Sequence, residues 1–235
     1  DQEKIGIYTP KALNIIGISE KNITINVPRA LPQIIKEGIH FTKDHSANYY
    51  HWLIECLPRL ALITELDKNL PLLVKGDLLP QFFEVLKVVN SDNRPIVKLE
   101  NTSCYLVEKL YYPSCLSRVA DNYGKPSYCE DLVISPDAVN FVRNAVIKGL
   151  NVSCSKRRRK IFVSRKNALY RKLLNTEEIE NFLISKGFEI VCPADLSFMS
   201  QVLLFSEAEV IIGQAGAGMV NFIFAPKDCK VLMFI

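Results

Sequence analysis

The sequence predicts an α/β protein built mostly on parallel sheets, and three observations carry that prediction. Short apolar runs alternate with longer segments of helical period along the chain. In the second half single helices separate the strands, which implies right-handed crossovers and parallel pairing. The 235 residues are 49% hydrophobic and 23% charged, a globular composition that excludes collagen, coiled coil and low-complexity classes. That length suits two compact domains, each able to bury a core.

The elements follow in order from local patterns. After an opening without a clear period, 38–42 reads as a strand. Segment 47–66 reads as a helix, with Leu53, Ile54, Leu57, Leu60 and Ala61 at helical spacing and Pro58 set to interrupt it. A strand at 70–74, a helix at 80–89 and strands at 95–99 and 106–112 follow, separated by Pro and Asn/Asp clusters. Ser135 is placed as N-cap and Pro136 in the first turn of a helix that carries Val139, Val142, Val146 and Ile147 on one face and ends near Gly149. The polar, basic stretch 151–160 then marks a change of composition. The predicted division is therefore a first α/β domain over 1–135, a connecting helix and basic linker over 136–155, and a second domain over 156–235. In the second domain strands fall at 161–164, 189–192, 210–212 and 230–234, and helices at 176–186 and 197–206. Thr176 is the expected N-cap of the first of these helices, Glu177 and Glu178 lie in its first turn, and Gly187 stops it. A glycine loop and a short helix precede the last strand. A parallel-sheet domain usually continues with a further helix, so the ending at Ile235 predicts a C-terminal truncation or a distinct ending.

Charge and cysteine usage narrow the partners. A net charge of +4 and a pI near 8.6 favour small anionic ligands, phosphorylated ones included, and are too weak for a general nucleic-acid binder. The uncharged stretch 210–226 falls short of the roughly 18 residues of a spanning helix and contains Gly213, Gln214, Gly216, Gly218 and Asn221, so it reads as strand, loop and helix. Asp1 opens the chain with no apolar leader behind it, which predicts an N-terminal trim. The seven Cys show no CxxC pair and no metal-ligand spacing, which argues against zinc and favours reduced thiols. Sequons at Asn22, Asn101 and Asn151 leave the compartment open.

Four constellations can carry chemistry. Gly213 to Asn221 forms a GxxGxG loop between a buried strand and a helical segment, where backbone N–H groups can approach a phosphate. It lacks both the dinucleotide GxGxxG spacing and the Lys-Ser/Thr of a P-loop, and a tight turn packed with small residues explains it equally well. Ser164-Arg165-Lys166 ends a predicted strand, with Arg171 and the helix start at Asn175–Glu178 beyond. Ligands of open parallel sheets bind past the carboxyl ends of strands, so Arg165 and the glycine loop are expected in one crevice. Arg suits bidentate phosphate contacts, whereas Lys166 and Lys172 read more simply as a solvated face. The run 156–160, Lys-Arg-Arg-Arg-Lys, fits a solvated linker, with weak attraction to anionic lipid as its functional rival. Finally, His51 and Glu55 are an i, i+4 pair that can serve as a general base or stand as a surface ion pair, and HxxxE alone is not a zinc motif.

Together these segments resemble glycosyltransferase family 61, the capsular-polysaccharide type of glycosyltransferase. The resemblance rests on Asn48-Tyr-Tyr-His-Trp-Leu-Ile-Glu-Cys-Leu-Pro-Arg-Leu60, Phe162-Val-Ser-Arg-Lys166 with Arg171, Asn175-Thr-Glu-Glu178, Phe188-Glu-Ile-Val191, and Ile212-Gly-Gln-Ala-Gly-Ala-Gly-Met-Val-Asn221 with Phe224-Ala-Pro226. It implies a GT-B-like fold, two Rossmann-like domains facing a cleft, and inverting transfer from a nucleotide sugar, expected to be UDP-linked, to a hydroxyl of a glycan or polysaccharide. The first domain would take the acceptor and the second the donor. The absence of an Asp-x-Asp agrees with a metal-independent mechanism in which Arg165, Arg171 and the amides around Gly216, Ala217 and Gly218 stabilise the diphosphate. Lys166, Gly213 and Asn221 complete the expected donor site, and Glu178 is assigned to the ribose. Glu55 and His51 are both candidates for the base.

One departure bears on activity. Relatives usually carry Pro-His-Gly-Ala-Gly where this chain has Gln214-Ala-Gly-Ala-Gly218, and Ala215 removes a donor worth about 10²-fold if it acts as one oxyanion ligand does. A catalytically silent nucleotide-sugar-binding or scaffold protein of a polysaccharide-building complex is thus the rival reading, and a different nucleotide-using transferase a third. Cytoplasmic placement is expected, peripheral to the inner membrane if the basic run engages lipid, with the Golgi or endoplasmic-reticulum lumen as the alternative.

Overall fold

The computed structural model describes residues 15–18, 22–25, 31–43, 45–119, 132–152, 158–166, 168 and 173–234. Two four-stranded sheets, each parallel throughout, organise them. A small antiparallel pair, β1 (Ile15–Ile18) and β2 (Ile23–Ile25), precedes the first sheet. That sheet holds β3 (Gln33–His40), β4 (Leu72–Lys75), β5 (Ile96–Leu99) and β6 (Tyr105–Tyr111) in the order β5-β4-β3-β6. A second antiparallel pair, β7 (Arg118–Val119) and β8 (Leu132–Val133), follows. The other large sheet holds β9 (Arg159–Val163), β10 (Glu189–Val191), β11 (Ala208–Gln214) and β12 (Lys230–Phe234) in the order β10-β9-β11-β12.

The expected helix over 47–66 is instead three short helical forms in series. A single turn, α1 (Tyr49–His51), is capped by the Asn48 side chain, which accepts from Tyr50 N. A π-helical turn over Trp52–Cys56 follows and then a 3-10 segment over Leu57–Leu62. Pro58 is the cause: it has no N–H to donate to the carbonyl four residues back, and its ring clashes with that carbonyl. The ladder slips one residue upstream, so that Leu57 N bonds Trp52 O, and Pro58 sits harmlessly at the start of the tighter 3-10 turn.

The other helices match their patterns closely. α2 (Pro80–Val89) and α3 (Pro136–Gly149) each begin on Pro, and the Ser135 hydroxyl caps α3 by accepting from Ala138 N. α4 (Thr176–Ser185) begins one residue differently from expectation: Asn175 is the N-cap and makes no side-chain cap bond, while the Thr176 hydroxyl donates to Leu173 O. Gly187 ends the helix at φ 79°, a conformation that favours glycine. α5 (Phe198–Ser206) is capped by the Ser197 hydroxyl.

The basic run is also corrected in part. Arg159 and Lys160 are not linker but the first residues of β9, and Arg159 is held by Glu189 (Nε to Oε1, 2.8 Å) and Glu207. Arg158 lies 3.6 Å from Glu209, while Lys156 and Arg157 fall outside the described residues. Two of the five cations, Arg158 and Arg159, are therefore paired with carboxylates, and Lys160 Nζ donates to Lys186 O.

Buried apolar side chains form one contiguous cluster that includes Ile39, Leu72 and Val74 of the first sheet and Ile161, Val163 and Ile211 of the second. α3 packs on α2, on both turns that follow α1, and on the 3-10 segment Ala217–Phe224. Arg143 of α3 donates to Ile223 O at 2.6 Å. By contrast β12 is exposed along its length. Among the described residues no helix is long and apolar enough to cross a membrane.

Candidate functional site

Three loops leave the carboxyl ends of β9, β10 and β11 and meet around a cleft of about 170 Å³. Val163, Ser164 and Arg165 come from the first, Cys192, Pro193 and Ala194 from the second, and Gln214, Gly218 and Met219 from the third. This is where open parallel sheets place ligands, because loops after neighbouring strands converge there and their N–H groups point outward. The turn after β9 is tied down locally: Ser164 Oγ donates to Glu180 Oε1 (2.6 Å) and accepts from Lys166 N, and Ala168 N bonds Arg165 O.

The structure brings Arg165 and the glycine loop together. A Cβ at Gly216 would overlap Arg165 Nη1 and lie 2.7 Å from Cζ, so the guanidinium rests directly on the backbone of that glycine. Gly213 is tight for another reason, since a Cβ there would meet Met219 Sδ at 2.5 Å and Val163 Cβ at 2.9 Å. Gly218 packs on Pro193. Gln214 Oε1 is buried without a hydrogen-bond partner among the described residues, beside the same cleft. Of the other expected donor-site residues, Lys166 and Glu178 are exposed and do not line this cleft, Glu178 accepting from Asn175 Nδ2 instead. Arg171 lies outside the described residues.

Asn221 is fully buried, and its amide is occupied by the protein itself. Oδ1 accepts from the Tyr49 hydroxyl (2.8 Å), and Nδ2 donates to Gln201 Oε1 (2.8 Å) and Gly218 O (3.1 Å). It fastens α1 to the glycine loop instead of facing a ligand. Burial pushes the Tyr49 phenol well above its ordinary range, so it stays a donor.

On the other side of the loop lies a cavity of about 750 Å³, lined both by Asn48 and His51 and by Ala215, Gly216 and Ala217. Here the His51–Glu55 pair resolves into unequal partners. Glu55 is 2% exposed, and its two oxygens accept from Lys43 Nζ (2.6 Å) and meet His51 Nδ1 (3.1 Å). Burial pulls the Lys43 pKa down, but the hydrogen bond and the charge of Glu55 outweigh it and hold the ammonium above its ordinary value. A carboxylate so enclosed is a poor direct base for a sugar hydroxyl. It can, however, keep the proton of His51 on Nδ1, which leaves the lone pair on Nε2 of a ring that lines the cavity. The pair is thus buried at its carboxylate end, unlike a surface ion pair.

Sequence reasoning missed Lys43, Tyr49, and the Ser164–Glu180 bond. A signal existed for Lys43, which follows β3 at a carboxyl end where functional side chains gather. None existed for Tyr49, whose partner is 172 positions away. Arg59, part of the quoted motif, is fully buried and donates to Phe41 O and Pro113 O, holding the segment beneath the site.

Among the described residues no three His, Cys, Asp or Glu side chains converge as a metal cluster would. The arrangement instead offers a carboxylate-backed imidazole and an Arg–glycine cradle around adjoining spaces that share Gly218's neighbour Met219. No curated protein matches the chain. The family model described as Glycosyltransferase 61 matches residues 49–232, from the turn that carries His51 through the glycine loop into the last strand, and on that match the chain belongs to glycosyltransferase family 61.

Proposed function

We propose that the protein is an inverting, metal-independent glycosyltransferase that moves a sugar from a nucleotide sugar, of the UDP type, to a glycan hydroxyl. Membership of the family supports a transferase acting on glycans. The observation that carries the finer reading is that the loop on which Arg165 rests also walls the cavity lined by His51. The two parallel sheets are compatible with Rossmann-like halves in a GT-B arrangement, with 1–135 as acceptor side and 156–235 as donor side.

In this mechanism the diphosphate lies against Arg165 and the amides near Gly216 and Gly218, which stabilise the charge that develops as the glycosidic C–O bond breaks. His51 Nε2 takes the acceptor O–H proton, and the oxygen attacks the anomeric carbon from the face opposite the departing diphosphate. Glu55 holds the imidazole and stabilises the imidazolium, and Lys43 holds Glu55. Choosing His51 over Glu55 as base follows from the burial of the carboxylate.

Ala215 favours a second reading, a donor-binding protein without turnover, because a methyl group stands at the loop position where the resemblance implies an imidazole. Transfer assays with a nucleotide-sugar panel in EDTA separate the two. Acceptor-dependent nucleoside diphosphate release supports the enzyme, and tight donor binding with no release supports the silent protein.

A further inference from the structure

We propose that the acceptor of this enzyme carries an alkyl chain next to the hydroxyl that is glycosylated, as in a lipid-linked sugar, and that this chain lies along the apolar wall of the cavity in front of His51. The inference rests on the assignment of that cavity to the acceptor and adds the chemical class of the molecule that fills it.

The wall decides the class. Beyond the polar groups of Asn48, Tyr50, His51 and Asn140, the lining is formed by side chains such as Leu132, Ile134, Val139, Phe222 and Met233. Among the described lining residues there is no Asp, Glu, Lys or Arg. A charged polysaccharide would meet no counter-ion among these described residues, and each hydroxyl of a neutral sugar laid on Leu132, Ile134, Val139, Phe222 or Met233 would lose its hydrogen bonds to water without replacement. Asn48 and His51 give this cavity of roughly 750 Å³ a polar end, and its apolar wall suits hydrocarbon.

Exposure points the same way. Leu132, Ile134 and Phe222 are 45%, 39% and 42% exposed, so three large apolar side chains of this one cavity face solvent. Contiguous exposed apolar surface marks a binding site more often than chance. His51 and the loop 215–217 both line the cavity, so the proposed mechanism places the donor's sugar and the attacking acceptor hydroxyl between them and leaves the rest of the acceptor to lie along the apolar wall.

The test compares n-alkyl glucosides of rising chain length, below their micelle-forming concentrations, with glucose, by calorimetry on the full chain without donor. The expected result is affinity rising with chain length by up to about fourfold per methylene, the ratio that ~0.8 kcal/mol per buried CH₂ corresponds to. The Ile134→Ser/Phe222→Ser variant, changed only at the exposed rim, should lose at least about tenfold of octyl glucoside affinity while UDP binding is kept. Equal binding of glucose and octyl glucoside, or a rim variant that binds octyl glucoside as well as the parent, overturns the proposal. Stronger binding of a charged oligosaccharide, or of a hydroxyl-bearing peptide, than of the alkyl glucosides overturns it as well. UDP titration of the parent protein is read separately: its failure removes the donor assignment and leaves the chain-length series to decide the cavity.

Discussion

Replacing Gly216 by Ala tests the proposed donor cradle without disturbing the fold. A Cβ at this position would overlap Arg165 Nη1 and lie 2.7 Å from Cζ and 3.4 Å from Nε. All three obstructing atoms belong to the far end of a flexible side chain, so the guanidinium swings away and the backbone keeps its place. The φ of 169° at Gly216 is extended backbone that alanine also adopts, so no conformational strain is added. The expected stability change is therefore below about 1 kcal/mol, or less than roughly 4 °C in Tm for a chain of this size. Donor binding should respond more strongly. A displaced Arg165 forfeits charge-assisted hydrogen bonds to the diphosphate worth about 1.5–3 kcal/mol, equivalent to roughly 10- to 150-fold in Kd. The assay is calorimetric titration with UDP in EDTA beside a thermal melt of the same sample. An unchanged Tm with unchanged UDP affinity would refute the reasoning, because it would mean that the contact between Arg165 and the loop has no part in holding the nucleotide.

Gly213→Ala should behave oppositely, since its Cβ meets Met219, Val163 Cβ and the Val163 carbonyl at 3.2 Å; overpacking of about 1–3 kcal/mol should lower Tm before any binding effect is read. Asn221→Ala leaves the Tyr49 hydroxyl and Gln201 without their buried partner and should destabilise by about 3 kcal/mol, roughly 6–12 °C in a melt, while Asn221→Asp should retain part of the Tyr49 bond. Lys43→Met strips the buried Glu55 of its cation and should cost about 3 kcal/mol in denaturant unfolding, a loss that Lys43→Met/Glu55→Gln should largely recover. Burial pushes the Cys56 thiol up to about 11, above its ordinary 9.0. The unfolded chain then loses this proton first, so stability is full below pH 9 and falls as pH rises from 9 toward 11; a Cys56→Ala variant should show a shallower fall in Tm over that window.

The fold was legible wherever local pattern and tertiary environment agree. α2, α3 and α5 begin on Pro or a Ser cap and carry one apolar face, and most strands of both sheets hold apolar runs between turn residues, so their positions follow from local chemistry. β3 is the exception, running Gln33–His40 where a strand is expected at 38–42, because Gln33, Lys36 and Glu37 interrupt the apolar pattern of its exposed first half. The segment after Asn48 was less legible, because apolar spacing cannot separate an α-helix from a π turn followed by a 3-10 turn when a proline shifts the ladder. The Arg165–Gly216 contact was readable from topology, since both residues follow strands of one parallel sheet. The inequality of His51 and Glu55 was not readable, because it depends on burial and on Lys43, a cation twelve positions upstream brought in by β3. Asn221 misled for the same reason: an amide in a glycine-rich loop reads as a ligand contact until Tyr49 is seen to occupy it.

The most direct test of the central claim is nucleoside diphosphate release from a panel of UDP-sugars in EDTA, with and without octyl glucoside, for the parent protein and His51→Gln. The account predicts acceptor-dependent release by the parent that falls by about 10²–10⁴-fold in His51→Gln, with UDP affinity the same in both. Acceptor-dependent release at parental rate from His51→Gln would contradict it.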